Sequence, residues 1–148
     1  MFDIDADPAQ LRQGIEQFYA WQMQLLDDGK VEPYAQTFAE DGSFAANAHP
    51  APFTGREAIA AAAGKATRAL AEQGVIRRHW FGMTSVETTG HSNVVRTRNY
   101  AVVFETPRGG AAKLLMSTVF EDVLVRDEDA THGWLVRERR VSRDDLAA

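Results

Sequence analysis

The 148-residue sequence contains no cysteine, which excludes disulfide bonds, thiol nucleophiles and cysteine-ligated metal sites. No segment approaches the roughly 20 consecutive apolar residues of a membrane-spanning helix. The first residues, Met1 to Asp5, are acidic and lack the basic start and apolar run of a signal peptide. Basic residues are fewer than acidic ones, at 16 Lys and Arg against 21 Asp and Glu. This argues against a nucleic-acid-binding surface, which would be basic. These absences predict a cytoplasmic protein that binds neither membrane nor nucleic acid.

The sequence lacks the motifs of several common kinds of catalytic or cofactor site. No two of the four histidines have metal-ligand spacing, and His49, His91 and His132 fall in predicted loops or turns. No glycine-rich loop joins a strand to a helix, so dinucleotide binding has no support. A Gly-x-Ser-x-Gly elbow is also missing. We therefore expect neither a metal nor a cofactor.

The remaining composition is that of an ordinary globular domain, with 45% hydrophobic and 25% charged residues. The length predicts one domain over residues 1–148. Its first half indicates helices. The first begins at Pro8 with Asp7 as N-cap and stops at Gly29. A short second helix opens at Pro33, runs through Phe38 and closes near residues 41–42.

Residues 45–53 contain two prolines and predict a loop, with one short strand at 43–46. The pattern Thr54-Gly55-Arg56-Glu57 resembles a capping box, which would start a third helix that ends at Gly74. After Gly74 the period becomes strand-like. Four runs rich in Val, Thr, Phe and Trp follow, at 75–89, 93–106, 111–126 and 134–142. Short connections make them an antiparallel meander, so we predict an α+β fold with helices on one face of a curved sheet.

Six local segments, in this order and spacing, resemble one known family. They are LLDDGK (25–30), FAEDGSF (38–44), TGREAI (54–59), RH (78–79), FEDVLVR (120–126) and GWLVRERRV (133–141). Together they resemble the SnoaL-like group of the nuclear-transport-factor-2-like (NTF2-like) superfamily, which includes polyketide cyclases, scytalone dehydratase, bile-acid dehydratases and dioxygenase β subunits. The resemblance implies a cone-shaped fold around a ligand cavity.

His79 is the main catalytic candidate, because a strand histidine that faces an apolar cone could exchange a proton near neutral pH. The resemblance places a catalytic histidine here and an acidic partner at Asp28, with Asp27 as the alternative. A carboxylate that binds one ring nitrogen fixes the tautomer and leaves the other nitrogen as the base. The competing interpretations are a buried packing histidine and a solvated helix end.

Two more residues could stabilise an oxyanion. Arg143 resembles a basic active-site residue of bile-acid dehydratases, although it could equally belong to an ion-paired edge with Arg137, Arg139 and Arg140, with Asp122 as partner. Tyr100 could donate a hydrogen bond if its face of the strand is concave; otherwise it only packs. The polar positions of related dehydratases are occupied here by Met23 and by Val102 or Phe104, so their full catalytic set is not present.

We expect the cavity wall to include apolar and aromatic side chains that bind the substrate. They are Tyr34, Phe81, Phe104, Met116 and Phe120. Strand alternation does not let both Trp80 and Phe81 point inward, and we predict that His79 and Phe81 face in and Trp80 faces out.

The resulting prediction is a cofactor-free acid–base enzyme, a cyclase, isomerase or dehydratase, acting on a hydrophobic polyketide-like or polycyclic molecule. The alternative is a non-catalytic member of the superfamily, either a dioxygenase-β-like scaffold or a lipophile carrier. We also expect a homodimer through the outer face of the sheet, where Val119, Val123 and Val125 alternate.

Overall fold

A computed structural model describes residues 7–147 as three helices packed against one face of a curved, six-stranded sheet. Met1 to Asp5, where no signal peptide is expected, lie outside the described residues. The helices are α1 (Pro8–Asp27), α2 (Val31–Ala35) and α3 (Arg56–Gln73). The strands are β1 (Phe38–Ala46), β2 (Phe53–Thr54), β3 (Val75–Thr88), β4 (Val94–Pro107), β5 (Lys113–Arg126) and β6 (Trp134–Arg143). The α+β prediction is confirmed.

The sheet order is β2-β1-β6-β5-β4-β3. Strands β3 to β6 form the predicted antiparallel meander, while β1 pairs in parallel with β6. The first helix begins as predicted, because the Asp7 carboxylate accepts hydrogen bonds from the backbone N–H groups of Ala9 and Gln10. No helix in the described residues is both long and apolar enough to cross a membrane.

Two local predictions are wrong. Helix α2 ends at Ala35 instead of continuing through Phe38, because Phe38 pairs with Val136 of β6 and is fully buried there. The capping box at Thr54 does not form. Thr54 pairs with Ser43 in the sheet, and Gly55 takes the N-cap position of α3 with a φ of 88° that favours glycine.

Alternate residues of β3 to β6 face the helices, and we call this side the inner face. On β4 it carries Val95, Thr97, Asn99, Ala101 and Val103, all buried. The larger core lies between α1 and one end of the inner face, around Ile15, Phe18, Phe38 and Leu124, among others. A smaller cluster of Ala101, Phe120 and Val141 lies towards the other end.

Candidate active site

His79 and Asp27 form a two-point contact between β3 and the end of α1. The His79 ring Nδ1 lies 2.6 Å from Asp27 Oδ1, and the His79 backbone N–H donates to Asp27 Oδ2 at 2.9 Å. The side chains are 12% and 8% exposed, respectively. Because an ionised carboxylate only accepts hydrogen bonds, the contact places a proton on Nδ1. Nε2 is then the ring atom that can take a proton from a ligand.

The acidic partner is therefore Asp27 and not Asp28. Asp27 is the last residue of α1, one helical turn beyond the buried Met23, which turns its side chain towards β3. Asp28 is the C-cap residue and its side chain is more open to solvent. The sequence singled out this acidic pair, but a difference of one residue, about 100° around the helix, decides which carboxylate faces inward.

Strand alternation at His79 is as predicted. His79 and Phe81 are on the inner face, while Trp80 is 66% exposed on the outer face. The Phe81 ring packs against Phe120, with centroids 4.7 Å apart, and against Tyr19 at 5.3 Å. Met116 pairs with Val103 on the inner face and is half-buried. Three of the proposed cavity residues, Phe81, Met116 and Phe120, thus share one face with His79.

Tyr100 and Phe104 lie on the opposite side of the sheet, which contradicts their predicted roles. Tyr100 is 48% exposed, and its ring stacks under the Arg98 guanidinium. Phe104 pairs with Arg78 and Leu114, both exposed. The buried positions of β4 are the odd-numbered ones, so all even-numbered side chains of this stretch point outward.

Arg143 also takes no part in the contact between His79 and Asp27. Its guanidinium forms an ion pair with Asp145, with Nη2 and Oδ2 2.7 Å apart, near the end of the chain. The hydrogen bond to Asp145 and the charge of that carboxylate raise the pKa of Arg143. The ion-paired alternative describes Arg143 better than the oxyanion role.

A buried polar cluster that the sequence analysis missed lies on the inner face. Arg139 donates to both carboxylate oxygens of Asp122, from Nε at 3.0 Å and Nη2 at 2.9 Å, and Nη2 also donates to Gln22 Oε1. The Tyr19 hydroxyl donates to Asp122 Oδ2 at 2.7 Å and accepts from Thr97. The sequence suggested Asp122 as an arginine partner, but it placed the pair at a solvated edge. In the structure neither side chain is exposed.

The cluster is charge-balanced. Burial alone would lower the pKa of Arg139, but Asp122 outweighs it and raises that pKa. Burial, reinforced by the Asp122 charge, raises the pKa of Tyr19 well above its ordinary value. The sequence does indicate that Tyr19 is buried, since it follows Ile15 by four residues and so lies on the same face of α1.

Tyr34 lies in the larger core instead of lining a ligand site around His79. It is buried, and its ring meets Phe38 edge-on with centroids 5.5 Å apart. Burial raises the pKa of its phenol, and the nearby Arg139 charge opposes that rise. In residues 7–147, no three His, Asp or Glu side chains are grouped so that they could hold a metal ion.

The family follows from sequence and fold together. Residues 7–140 match the SnoaL-like domain, so the chain belongs to the SnoaL-like family of the NTF2-like superfamily. It is similar to ActVI-ORFA from Streptomyces coelicolor, at 30% identity over 95% of this chain and 100% of that chain, with a TM-score of 0.85. Aln2 from another Streptomyces species is 34% identical over 93% of each chain, with a TM-score of 0.82.

A Catenulispora acidiphila protein solved in complex with S-DNPA is 33% identical over 93% of this chain and 96% of that chain, with a TM-score of 0.78. No curated protein matches the sequence.

Proposed function

We propose that this protein is a cofactor-free acid–base enzyme, a cyclase, isomerase or dehydratase, that acts on a hydrophobic polyketide-like or polycyclic molecule. The observation that carries the proposal is the two-point contact of Asp27 with His79. A carboxylate that holds both the ring and the backbone of one histidine fixes its tautomer and its orientation. Such a fixed, largely buried imidazole is suited to proton transfer.

In this mechanism Nε2 of His79 removes a proton from the carbon next to a carbonyl, or returns one to a leaving oxygen. Asp27 stabilises the imidazolium that forms, because its carboxylate lies 2.6 Å from Nδ1. Tyr100 and Arg143 have no catalytic role in this mechanism, since Tyr100 lies on the outer face and Arg143 pairs with Asp145. Asp27 takes the role predicted for Asp28.

The proposed substrate class follows from the surroundings of His79. Phe81, Met116 and Phe120 give the inner face an apolar, partly aromatic surface. Flat hydrophobic molecules bind such surfaces by contact with the rings. That the Catenulispora relative was solved in complex with S-DNPA supports a ligand-binding role for this chain as well.

The experiment is hydrogen–deuterium exchange on a small fused-ring ketone. The protein is incubated with 2-tetralone in D₂O, and loss of the signals next to the carbonyl is followed by proton NMR. We expect exchange faster than the buffer-catalysed rate, with the acceleration abolished by His79→Ala and retained by Asp28→Asn. Equal rates for the native protein and His79→Ala would contradict the proposal.

A carrier that binds without turnover is the second candidate, and one observation favours it. The side chains that follow His79 across the inner face are Val103 and Met116, which have no group to stabilise an oxyanion. Saturable binding of 2-tetralone without accelerated exchange would support the carrier and reject the enzyme.

We further propose that the protein pairs with a second copy of itself through the outer face of the sheet. Val119 and Val125 are half-buried there, and Val123 is already covered within the chain. Large apolar side chains nearby are exposed, namely Trp80, Tyr100 and Leu114. Burying them against an identical face would remove an apolar surface from water.

A further inference from the structure

The side chain of Asn99 is fully buried but is held at only one end. It is 0% exposed on the inner face of β4, and its Oδ1 accepts a hydrogen bond from the Thr84 hydroxyl at 2.6 Å. Its Nδ2 makes no hydrogen bond with any of the described residues. A buried amide nitrogen carries two donors, and leaving both unpaired is unfavourable. The unpaired end therefore indicates a partner outside the chain.

An irregularity in β3 sets the orientation of this amide. The pairing of β3 with β4 shifts between Gly82 and Ser85. At that point Met83 has a φ of 54°, and it is the one non-glycine residue of 7–147 with a positive φ. Side-chain-bearing residues rarely adopt this conformation, and bulges of this kind redirect side chains near functional sites. Here the bulge brings Thr84 onto Oδ1, which turns Nδ2 to the opposite side.

The surroundings of Asn99 favour an uncharged ligand atom. Asn99 pairs across the sheet with Phe120, and the next inner residue on its strand is Ala101; both belong to the smaller apolar cluster. The nearest buried charges, Arg139 and Asp122, neutralise each other in the adjacent row. A carboxylate would bring an unbalanced charge into this region, whereas a carbonyl or hydroxyl oxygen would not.

The position of Asn99 relative to His79 indicates the length of the ligand. His79 pairs with Val103, and Asn99 precedes Val103 by four residues on the same face of β4. At about 3.3 Å per residue this separates the two sites by roughly 13 Å. The row between them contains Phe81, Ala101 and Thr118, which are flat or small side chains. A ligand that reaches both ends must be elongated and largely apolar.

We propose that Asn99 Nδ2 donates a hydrogen bond to a neutral carbonyl or hydroxyl oxygen at one end of an elongated, fused-ring ligand. The other end of that ligand lies at His79. The inference rests on the proposed function, because it takes His79 as the reacting end. Asn99 is thus a binding residue that orients the substrate and selects molecules with an oxygen at this distance.

The test compares two ketones that differ by one oxygen at the end far from the carbonyl, 6-hydroxy-2-tetralone and 2-tetralone. Affinities are measured by NMR titration of the protein with ¹⁵N-labelled asparagine. We expect the native protein to bind the hydroxylated ketone about 10-fold more tightly, the worth of one hydrogen bond. The Asn99 side-chain NH₂ signal should shift with 6-hydroxy-2-tetralone and much less with 2-tetralone. The variant Asn99→Leu should lose the preference while still binding 2-tetralone.

Ser85→Ala is the matched control, because it removes a hydroxyl beside the same bulge that bonds the Arg98 carbonyl and not Asn99. We expect it to retain the preference for the hydroxylated ketone. Equal affinities of the native protein for both compounds, or no saturable binding of either, would overturn the proposal. So would an equal loss of preference in Ser85→Ala and Asn99→Leu with an unshifted NH₂ signal in the native protein, since Asn99 would then only support the bulge.

These outcomes are separable from those of the exchange experiment. If His79→Ala abolishes deuterium exchange but the native protein shows no preference for 6-hydroxy-2-tetralone, the Asn99 inference fails and the enzyme proposal stands. If that preference depends on Asn99 but exchange is not accelerated, the binding site stands and the enzyme proposal fails.

Discussion

The carboxylate of Asp27 contacts both the ring and the backbone of His79, which are 52 residues away in the sequence. The backbone contact occupies an N–H of β3 that is not used in pairing with β4, because β3 is an edge strand. The Asp27 side chain therefore pairs with a free backbone N–H at the edge of the sheet and also orients the imidazole. Loss of that carboxylate should affect both the position and the tautomer of the His79 ring.

The first prediction concerns this pair as a unit. Asp27→Asn and His79→Ala should each reduce the catalysed exchange of 2-tetralone by roughly 10²-fold or more. The double variant should be no slower than His79→Ala, because the carboxylate acts through the imidazole. The matched control is Asp28→Asn, which alters the neighbouring carboxylate and should leave the rate unchanged. Multiplicative losses in the double variant would show that the two side chains act separately.

The second prediction concerns the stability of the buried ion pair. Asp122→Ala leaves the Arg139 guanidinium buried without its counter-ion, and we expect a loss of about 3–5 kcal/mol in the free energy of unfolding. Denaturant titration measures this loss. Asp145→Ala removes the partner of the more exposed Arg143 and should leave the unfolding midpoint unchanged. Similar midpoints for the two variants would contradict a structural role for the Arg139–Asp122 pair.

The third prediction is a dependence of stability on alkaline pH. Burial raises the pKa of Tyr19 well above its ordinary value of 10.0 and also raises that of Tyr34. The folded state then holds these protons more tightly than the unfolded state. Their contribution to stability is complete below about pH 10 and declines as the pH rises further, because the unfolded chain ionises first.

Absorbance of the phenolate, recorded in parallel with circular dichroism, measures this effect. Ionisation of Tyr19 and Tyr34 should appear only as the fold is lost. Tyr19→Phe should weaken the decline in stability above pH 10. A native-state titration in which all three tyrosines ionise together near pH 10, with the circular dichroism intact, would refute the prediction.

The fourth prediction concerns assembly. Sedimentation should give a dimer at micromolar concentration, and Trp80→Glu should shift the protein to monomer by placing a charge in the apolar outer face. Ala69→Glu, which adds the same charge on the exposed side of α3, should leave the dimer intact. A native protein that sediments as a monomer at that concentration would remove the claim.

Regular patterns allowed most of the fold to be predicted from the sequence. The period change at Gly74 and the turn residues between the four long strands identify the meander, and Asp7 and Pro8 identify the start of α1. The parallel pairing of β1 with β6 could not be predicted, because partners far apart in sequence leave no local pattern. Phe38 shows the effect: it continues a helical pattern, but burial against β6 places it in a strand.

The contacts of the candidate site were predicted less well than the fold. The sequence predicted that His79 contacts an acidic residue at the end of α1, but spacing alone did not decide between Asp27 and Asp28. Tyr100 was assigned to the wrong face of β4. Alternation in a strand allows either the odd-numbered or the even-numbered residues to face inward, and in the structure Asn99 and Ala101 are the buried ones. Arg139 was assigned to a solvated edge because arginine is seldom fully buried, and only its buried acceptors make that position tolerable.

The polar cluster on the inner face also has a consequence for how the chain folds. Gln22 of α1 reaches its arginine partner across 117 residues, and Tyr19 reaches Asp122 across 103. On a ribosome, α1 therefore emerges long before β5 and β6 exist to receive its buried polar groups. Contacts of such long range slow folding, because a large loop must close before they form. We expect folding to be a late event in synthesis, completed only when β6 is added.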